Sequence, residues 1–359
     1  MNEKVIYAVG LMSGTSLDGL DIAYCRFVKD KVWTGELLAG ETIVYTEEWK
    51  SRLEKAFYAS GAELWQLHAD LGHFMGKQAS EFISRNKLQV DLLASHGHTV
   101  FHQPDKGFTC QIGDGAAISA ESGLSVVCDF RSLDVALKGQ GAPLVPAGDE
   151  QLFHEYSYCL NLGGIANVSL VKDGTRLAFD ICSLNQVLNR LAEMKGYPYD
   201  KNGELAKAGS LHEGLLEMLN RSPFYKKNSP KSLGREHVEK EIWPILESHQ
   251  ISVEDKIHTF CEHAAFQIGG LLKGPHSKTL TTGGGAHNTY LCSRIQKYSE
   301  SQLYIPPALL VDFKEAFVFA FLGVLRYFKE VNVLKSVTGA KEDNIGGAVY
   351  HHSFPMVRN

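Results

Sequence analysis

The chain has 359 residues, a formal charge of −5, 44% hydrophobic residues and 21% charged residues. That length exceeds what one core ordinarily supports and predicts two domains. The mild acidity, with no Lys/Arg cluster, excludes the electrostatic footprint of a nucleic-acid binder. No apolar window approaches the ~18 residues of a membrane span, and no signal peptide is read at the start. The seven scattered cysteines, without Cys-x-x-Cys, fit reduced thiols in a cytoplasmic protein.

Residues 5–10, 22–28 and 36–46 run or alternate apolar, with turn signals such as Lys29-Asp-Lys between them, and predict an antiparallel meander. Apolar or small residues at helical spacing from Leu64 to Ile83 predict a helix over 61–86. Val90-Asp-Leu-Leu-Ala-Ser reads as a short buried strand ending in a polar turn, Ser95-His-Gly-His-Thr. Strands follow at 109–112 and 125–129, flanking a helix over 114–122. A second meander opens near 156. Tyr158 to Leu162 leads into Gly163-Gly164, and 168–171 and 176–180 form a hairpin around Asp173-Gly174. Helices are predicted over 184–195, 203–220 and 255–273. Thr279-Leu-Thr-Thr is a strand running into Gly283-Gly-Gly-Ala-His-Asn, and a strongly apolar helix covers 314–329. Each half thus opens on a meander and then alternates strands and helices. The expected division is 1–150 and 151–340, with the tail 341–359 packing back on the first part.

Walker A, Rossmann and Gly-x-Ser-x-Gly signatures are absent. His96, His98 and His102 are close in sequence, but no third-party ligand completes a zinc site, and histidines facing the surface or a substrate are the better reading. What stands out are four polar turns, each read as following a strand. They are Ser13-Gly-Thr-Ser-Leu-Asp-Gly-Leu-Asp, Asn161-Leu-Gly-Gly-Ile-Ala-Asn, Phe179-Asp-Ile-Cys-Ser-Leu-Asn and Gly283-Gly-Gly-Ala-His-Asn. Glycines there let backbone N–H groups approach an anion. Hydroxyls add donors, and aspartates can hold Mg²⁺. The candidate phosphate and nucleotide contacts are Ser13, Gly14, Thr15, Ser16, Asp18, Gly19, Asn161, Gly163, Gly164, Gly283, Gly284, Gly285 and Asn288. Asp18 and Asp21 are the candidate metal ligands.

With two strand-turn-strand loops and a late Gly-Gly-Gly, the chain resembles the superfamily of actin, heat-shock chaperones and sugar kinases. Within it, the chain is similar to the anhydro-N-acetylmuramic acid kinase family. Gly10-Leu-Met-Ser-Gly-Thr-Ser-Leu-Asp-Gly-Leu-Asp, Ser95-His-Gly-His-Thr-Val-Phe-His, Gln111-Ile-Gly-Asp-Gly-Ala and Asp129-Phe-Arg carry the likeness. So do Gly139-Gln-Gly-Ala-Pro-Leu-Val-Pro, Asn161-Leu-Gly-Gly-Ile-Ala-Asn, Lys231-Ser-Leu-Gly-Arg-Glu, Thr282-Gly-Gly-Gly-Ala-His-Asn and Glu315-Ala-Phe-Val-Phe-Ala. The resemblance implies a two-lobed α/β, ribonuclease H-like fold with a central nucleotide and substrate cleft.

It also implies a cytoplasmic kinase of peptidoglycan recycling. Such an enzyme uses ATP and Mg²⁺ to open the 1,6-anhydro ring and phosphorylate O6, giving N-acetylmuramic acid 6-phosphate. The family's catalytic base falls on Asp180. Asp129 and Arg131 are expected to hold the sugar, with Arg131 on its lactyl carboxylate, and His96, His98 and Thr99 to lie near it. Glu315 is read as opening the late helix, as a sugar contact or as a helix N-terminal charge. Where the family continues Asp-Thr-Gly-Pro-Gly-Asn, this chain reads Asp180-Ile-Cys-Ser-Leu-Asn185, and Ser-His-Gly-Gln becomes Ser95-His-Gly-His. A kinase of another amino sugar and a non-catalytic nucleotide-binding sensor are the alternatives, and Asp180 argues against a pure binder. No nucleic-acid or membrane partner is expected. A homodimer is left open.

Overall fold

In the computed structural model, which describes residues 4–227 and 229–352, the opening meander forms as read. β1 (Lys4–Ser13), β2 (Gly19–Lys29) and β3 (Trp33–Val44) pair antiparallel in chain order. β4 (Leu92–Gln103) lies parallel on the other side of β1. β5 (Phe108–Ile112) folds back on the end of β4, and β6 (Val126–Cys128) adds parallel beyond it. The last six residues of β1 are all buried, as a central strand covered on both faces requires.

Val9 and Leu11 join Leu67, Leu71, Met75 and Phe82 of the helix Gly61–Arg85 in one core. That helix begins on a capping box between Ser60 and Glu63. Toward the helix Ala308–Tyr327, β1 presents Gly10, where an added Cβ would sit 1.9 Å from the Ala316 carbonyl oxygen. Phe27 of β2 stacks on Phe317 of the same helix at 5.4 Å.

The second unit repeats the plan. β7 (Tyr158–Leu162), β8 (Ile165–Lys172) and β9 (Thr175–Ser183) pair antiparallel, and β10 (Lys278–Thr282) and β11 (Gln302–Tyr304) run parallel beside β7. Asp173 and Gly174 join β8 to β9 at φ 50° and 74°, the left-handed pair of a tight hairpin. Its core packs Leu160, Leu162, Val168 and Ile181 against Phe260, Ala264 and Ile268 of the helix Val253–Leu271. Within the seven-stranded first sheet the order β6-β4-β1-β2-β3 matches that of the five-stranded second sheet, β11-β10-β7-β8-β9, the same core topology twice.

The compact units are the chain to Leu152 together with the chain from Phe313, and Phe153–Asp312. The chain therefore returns to the first unit at Phe313 and not at 341, because Phe317 and Phe321 cover β2 and Ala316 seats on β1. Ala348–Tyr350 then pairs antiparallel with β6, and residues 353–359 of the expected tail lie outside the described ones.

Three further expectations are corrected. The helix read over 203–220 is split into Glu204–Ala208 and Glu213–Asn220, because the chain at Gly209 presses on Glu254, whose carbonyl oxygen would lie 2.1 Å from a Cβ there. Ser95-His-Gly-His-Thr is no turn but the middle of β4, with Ser95, His96 and His98 buried. Asp180 likewise lies inside β9, ahead of a bulge opposite Ala166 and Asn167, and not in a turn after it.

Candidate active site

In the first unit, β1 ends at Ser13 and the chain turns through Gly14–Asp18 into β2. Leu17 takes φ 62° and its N–H donates to the Gly14 carbonyl at 3.3 Å. Thr15, Ser16 and Asp18 are exposed at this turn and Gly14 is half-buried. Ser13 is buried beneath them. Its hydroxyl accepts from Tyr45 at 2.7 Å and meets His98 Nδ1 at 3.0 Å. Ser13 is thus the floor of the loop, committed to the interior, and burial pushes His98 down to about 4. Gly19 serves packing, since a Cβ there would stand 2.5 Å from the Ile43 carbonyl oxygen of β3.

His96 and Arg131 form a second cluster in this unit. His96 donates Nδ1–H to the Gly97 carbonyl at 2.9 Å, so its Nε2 is left to accept from Arg131 Nε at 3.0 Å and Nη2 at 2.8 Å. Burial, with the Arg131 charge beside it, holds His96 well below the ordinary histidine range. Arg131 Nη1 donates to the Gly141 carbonyl at 2.7 Å. With Nε–H and one Nη2–H on His96 and one Nη1–H on Gly141, two of the five guanidinium N–H groups remain for another acceptor.

Asp129, just past β6, is exposed and left-handed at φ 54°, with its carboxylate accepting from the Ser132 hydroxyl at 2.5 Å. A non-glycine held there is a strained position of the kind that gathers at functional sites. Thr99 is half-buried and its Oγ1 accepts from Gln111 at 3.2 Å.

Glu315 does not open its helix. Pro306 and Pro307 start the helix two turns earlier, the Pro307 carbonyl accepting from Leu310 and Val311. Glu315 therefore stands in the helix interior, reached by solvent yet crowded enough by protein that its carboxyl is raised. Asp21 adds to that rise and Arg131 opposes it. Arg131, Glu315 and Asp21 thus share one electrostatic neighbourhood, and Asp21 also accepts from the Thr42 hydroxyl at 2.6 Å. Among the described residues, no group of three or more His, Cys, Asp or Glu is placed to hold a metal by itself. The closely spaced histidines each face another partner, His102 meeting Thr109 Oγ1 at 3.1 Å.

In the second unit the glycine-rich turns converge at one end of the sheet. Gly163 and Gly164 join β7 to β8; the Gly164 carbonyl accepts from Leu184 at 2.9 Å and the Gly163 carbonyl from Asn185 at 3.2 Å, where the helix Asn185–Glu193 begins. Gly283, at φ 83°, follows β10. A Cβ on it would stand 2.3 Å from Asn161 Oδ1, and one on Gly285 would stand 2.8 Å from the Leu162 side chain. Asn185 Nδ2 donates to the Leu162 carbonyl at 2.9 Å. Asn161, Gly163, Gly164, Gly283, Gly284 and Gly285 are therefore neighbours. Asn288 follows directly, its N–H donating to the Gly285 carbonyl at 3.1 Å, but its side chain is committed as the N-cap of the helix Thr289–Tyr298, accepting from Leu291 at 2.9 Å.

Asp180 is half-buried. Its backbone N–H donates to the Lys231 carbonyl at 2.9 Å, and its Oδ2 accepts from the Leu233 N–H at 2.8 Å. Burial raises the carboxyl above its ordinary value, and the Leu233 N–H partly restores it. Ile181, Cys182, Ser183 and Leu184 are all buried, so the bulkier replacements in this segment face the core. Tyr45, Gly141 and Leu233 were not singled out from the sequence. Tyr45 carries no motif signal, whereas Gly141 and Leu233 lie in Gly-Gln-Gly-Ala-Pro and Lys-Ser-Leu-Gly-Arg, which did.

Two units of one topology, each turning its first hairpin through a polar glycine-bearing loop, define the actin-like ATPase and sugar-kinase class. Solved structures similar to the chain include an activator of 2-hydroxyisocaproyl-CoA dehydratase from Clostridium difficile with bound ADPNP. It is 13% identical, with 90% of this chain and 96% of that one covered and a TM-score of 0.43. A xylulose kinase from Lactobacillus acidophilus is 10% identical, covering 90% and 89%, with a TM-score of 0.40.

The family model described as anhydro-N-acetylmuramic acid kinase matches residues 6–352. Relatives of that name include one from Vibrio cholerae, 35% identical over 98% of this chain and 100% of its own length. One from Sulfurimonas denitrificans is 33% identical over 96% and 99%. The chain belongs to the anhydro-N-acetylmuramic acid kinase family and is a kinase.

Proposed function

We propose that the chain converts 1,6-anhydro-N-acetylmuramic acid and ATP into N-acetylmuramic acid 6-phosphate and ADP, in the cytoplasmic recycling of peptidoglycan. The observation that carries this reading is the family match over residues 6–352, joined to a carboxylate at Asp180 that burial has made more basic.

The anhydro sugar's O6 is an ether oxygen with no proton to remove, so the base must act on water. Asp180 takes a proton from that water as its oxygen bonds to the anomeric carbon. The C1–O6 bond breaks with its electrons on O6. O6 then bonds to the γ-phosphorus, and the bond to the β-phosphate oxygen breaks to release ADP. A transfer of this kind needs positioning and charge neutralisation more than further covalent chemistry.

The exposed Gly14–Asp18 turn and the Gly163-Gly164 and Gly283–Gly285 loops supply backbone and hydroxyl donors for phosphates and nucleotide. Asp129, Arg131, His96, Thr99 and Glu315 serve the sugar, with the remaining Arg131 N–H groups on its lactyl carboxylate. Mg²⁺ takes hard oxygen ligands and keeps several waters, so an oxygen-only set such as Asp18 and Asp21 suits it. Bound there, it would neutralise phosphate charge.

A coupled ADP-release assay with MgATP and the anhydro sugar tests the reading. Sugar-dependent turnover that Asp180→Asn abolishes is the expected result. ATP binding with no sugar-dependent ADP release would refute it.

A further inference from the structure

Asp134 is fully buried in the helix Ser132–Ala136, three residues past Arg131. No lysine or arginine pairs with it among the described residues. Its carboxylate is held by neutral donors. Oδ1 accepts from the Thr338 hydroxyl at 2.8 Å and the Asn344 amide at 2.9 Å, and Oδ2 accepts from the Gly141 N–H at 2.8 Å. The Asp134 carbonyl takes the Gly139 N–H at 2.8 Å, and Gln140 N–H donates to the Thr338 carbonyl at 2.8 Å. Gly139 fits because it lacks a side chain, since a Cβ would stand 2.1 Å from Asp134 Oδ2. The far side of that one loop, the Gly141 carbonyl, receives Arg131 Nη1 at 2.7 Å while the other edge of the guanidinium grips His96.

A buried carboxylate without a counter-charge is retained only where donors hold it, and here three do. An apolar residue there would leave the Gly141 N–H, the Thr338 hydroxyl and the Asn344 amide buried without this acceptor, so the carboxylate is what ties these segments together.

We propose that Asp134 is a positioning residue for Arg131. It fixes the Gly139–Gly141 loop so that the Gly141 carbonyl and His96 Nε2 together hold the guanidinium at one orientation, aimed at the carboxylate of the sugar. The last clause rests on the reading of Arg131 given under the proposed function. The link from Asp134 to Arg131 does not.

Two measurements on the full chain separate them. The first is independent of activity. In ¹⁵N imidazole NMR, with His96→Gln used to assign the signal, the intact protein shows His96 as the Nδ1–H tautomer alone. In Asp134→Asn, where an amide must abandon the Gly141 N–H or face a donor with a donor, His96 shows both tautomers or a shifted Nε2. An unchanged His96 signal in a folded Asp134→Asn protein overturns the proposal.

The second is kinetic. Asp134→Asn raises KM for 1,6-anhydro-N-acetylmuramic acid about tenfold, the effect of weakening one charge-assisted contact, and leaves KM for ATP unchanged. It leaves kcat/KM for 1,6-anhydro-N-acetylglucosamine, which has no lactyl carboxylate, within about twofold. An equal loss on both sugars overturns the proposal in favour of general support of the fold. Should Asp134→Asn not fold, Thr338→Val removes one donor, keeps the carboxylate and gives the same pattern at smaller size. If Arg131→Ala does not alter the preference between the two sugars, the Arg131 reading fails while the NMR result still decides the role of Asp134.

Discussion

Among the described residues, the Asp180 carboxylate has a single protein donor, the Leu233 N–H, so its charge is stabilised less than that of an ion-paired aspartate. As the proposed base, Asp180 must be ionised to act. Because burial raises this carboxyl, activity is lost on acidification at a higher pH than an ordinary aspartate would give. The acid limb of kcat/KM against pH reports this directly. Leu233→Pro deletes the one donor favouring the charged form and moves that limb further up. Asp180→Asn lowers kcat by about 10²–10⁴, the usual scale for a general base, with ATP affinity retained by titration. Asp180 was singled out because an aspartate after an apolar run, with Asn185 five positions on, matched the family's motif, whereas its place inside β9 left no trace in the local pattern. Ser95, His96 and His98 misled for a physical reason: polar residues clustered around a glycine suggest a turn. Here each is satisfied inside the protein by partners 35 to 85 residues away or by local backbone, which local pattern cannot reveal.

The helix Ala308–Tyr327 shows what an element needs from its neighbours. Gly10 of β1 and Gly323 of the helix admit Ala316 and Ala94, whose atoms would lie 1.9 Å and 2.5 Å from a Cβ at each glycine. Gly10→Val is therefore expected to destabilise the first unit by at least ~1–3 kcal/mol through overpacking, read as a lower midpoint in urea. Within the second unit, Glu262 is buried on the helix Val253–Leu271. It is gripped by Arg294, through Nη2 at 2.9 Å and through Nε, and by the Tyr298 hydroxyl at 3.0 Å. Arg294→Met leaves that carboxylate buried and without its cation and is expected to cost about 3–5 kcal/mol, checked by the same titration. The late helix was legible from its apolar run, but residues 308–313 were not. They carry Asp312 among apolar residues, and the start is set by Pro306-Pro307.

At the scale of the molecule, the sequence showed a meander opening each half, and both meanders form. What it concealed was that the last helix completes the first sheet, because Phe317 and Phe321 meet Phe27 some 290 residues away, and contacts that distant leave no local trace. The division makes a prediction about fragments. Residues 153–312 expressed alone are expected to unfold in one cooperative transition, since their sheet and helices share a core. A chain ending at 312 is expected to melt at lower temperature in its first unit and to bind a hydrophobic dye, both absent from the full chain.

Because the covering of the first sheet begins only at Phe313, order of synthesis matters. A ribosome adding about 5–20 residues per second takes roughly ten to thirty seconds to make the stretch from Phe153 to Asp312. Throughout that interval β1 and β2 have emerged with one apolar face uncovered; the second unit is complete once Asp312 is made, while the first still waits for the helix from Phe313. Newly made chains are therefore expected to be exposed to misassociation during that stretch, and slowing translation between those residues is expected to lower the yield of folded protein.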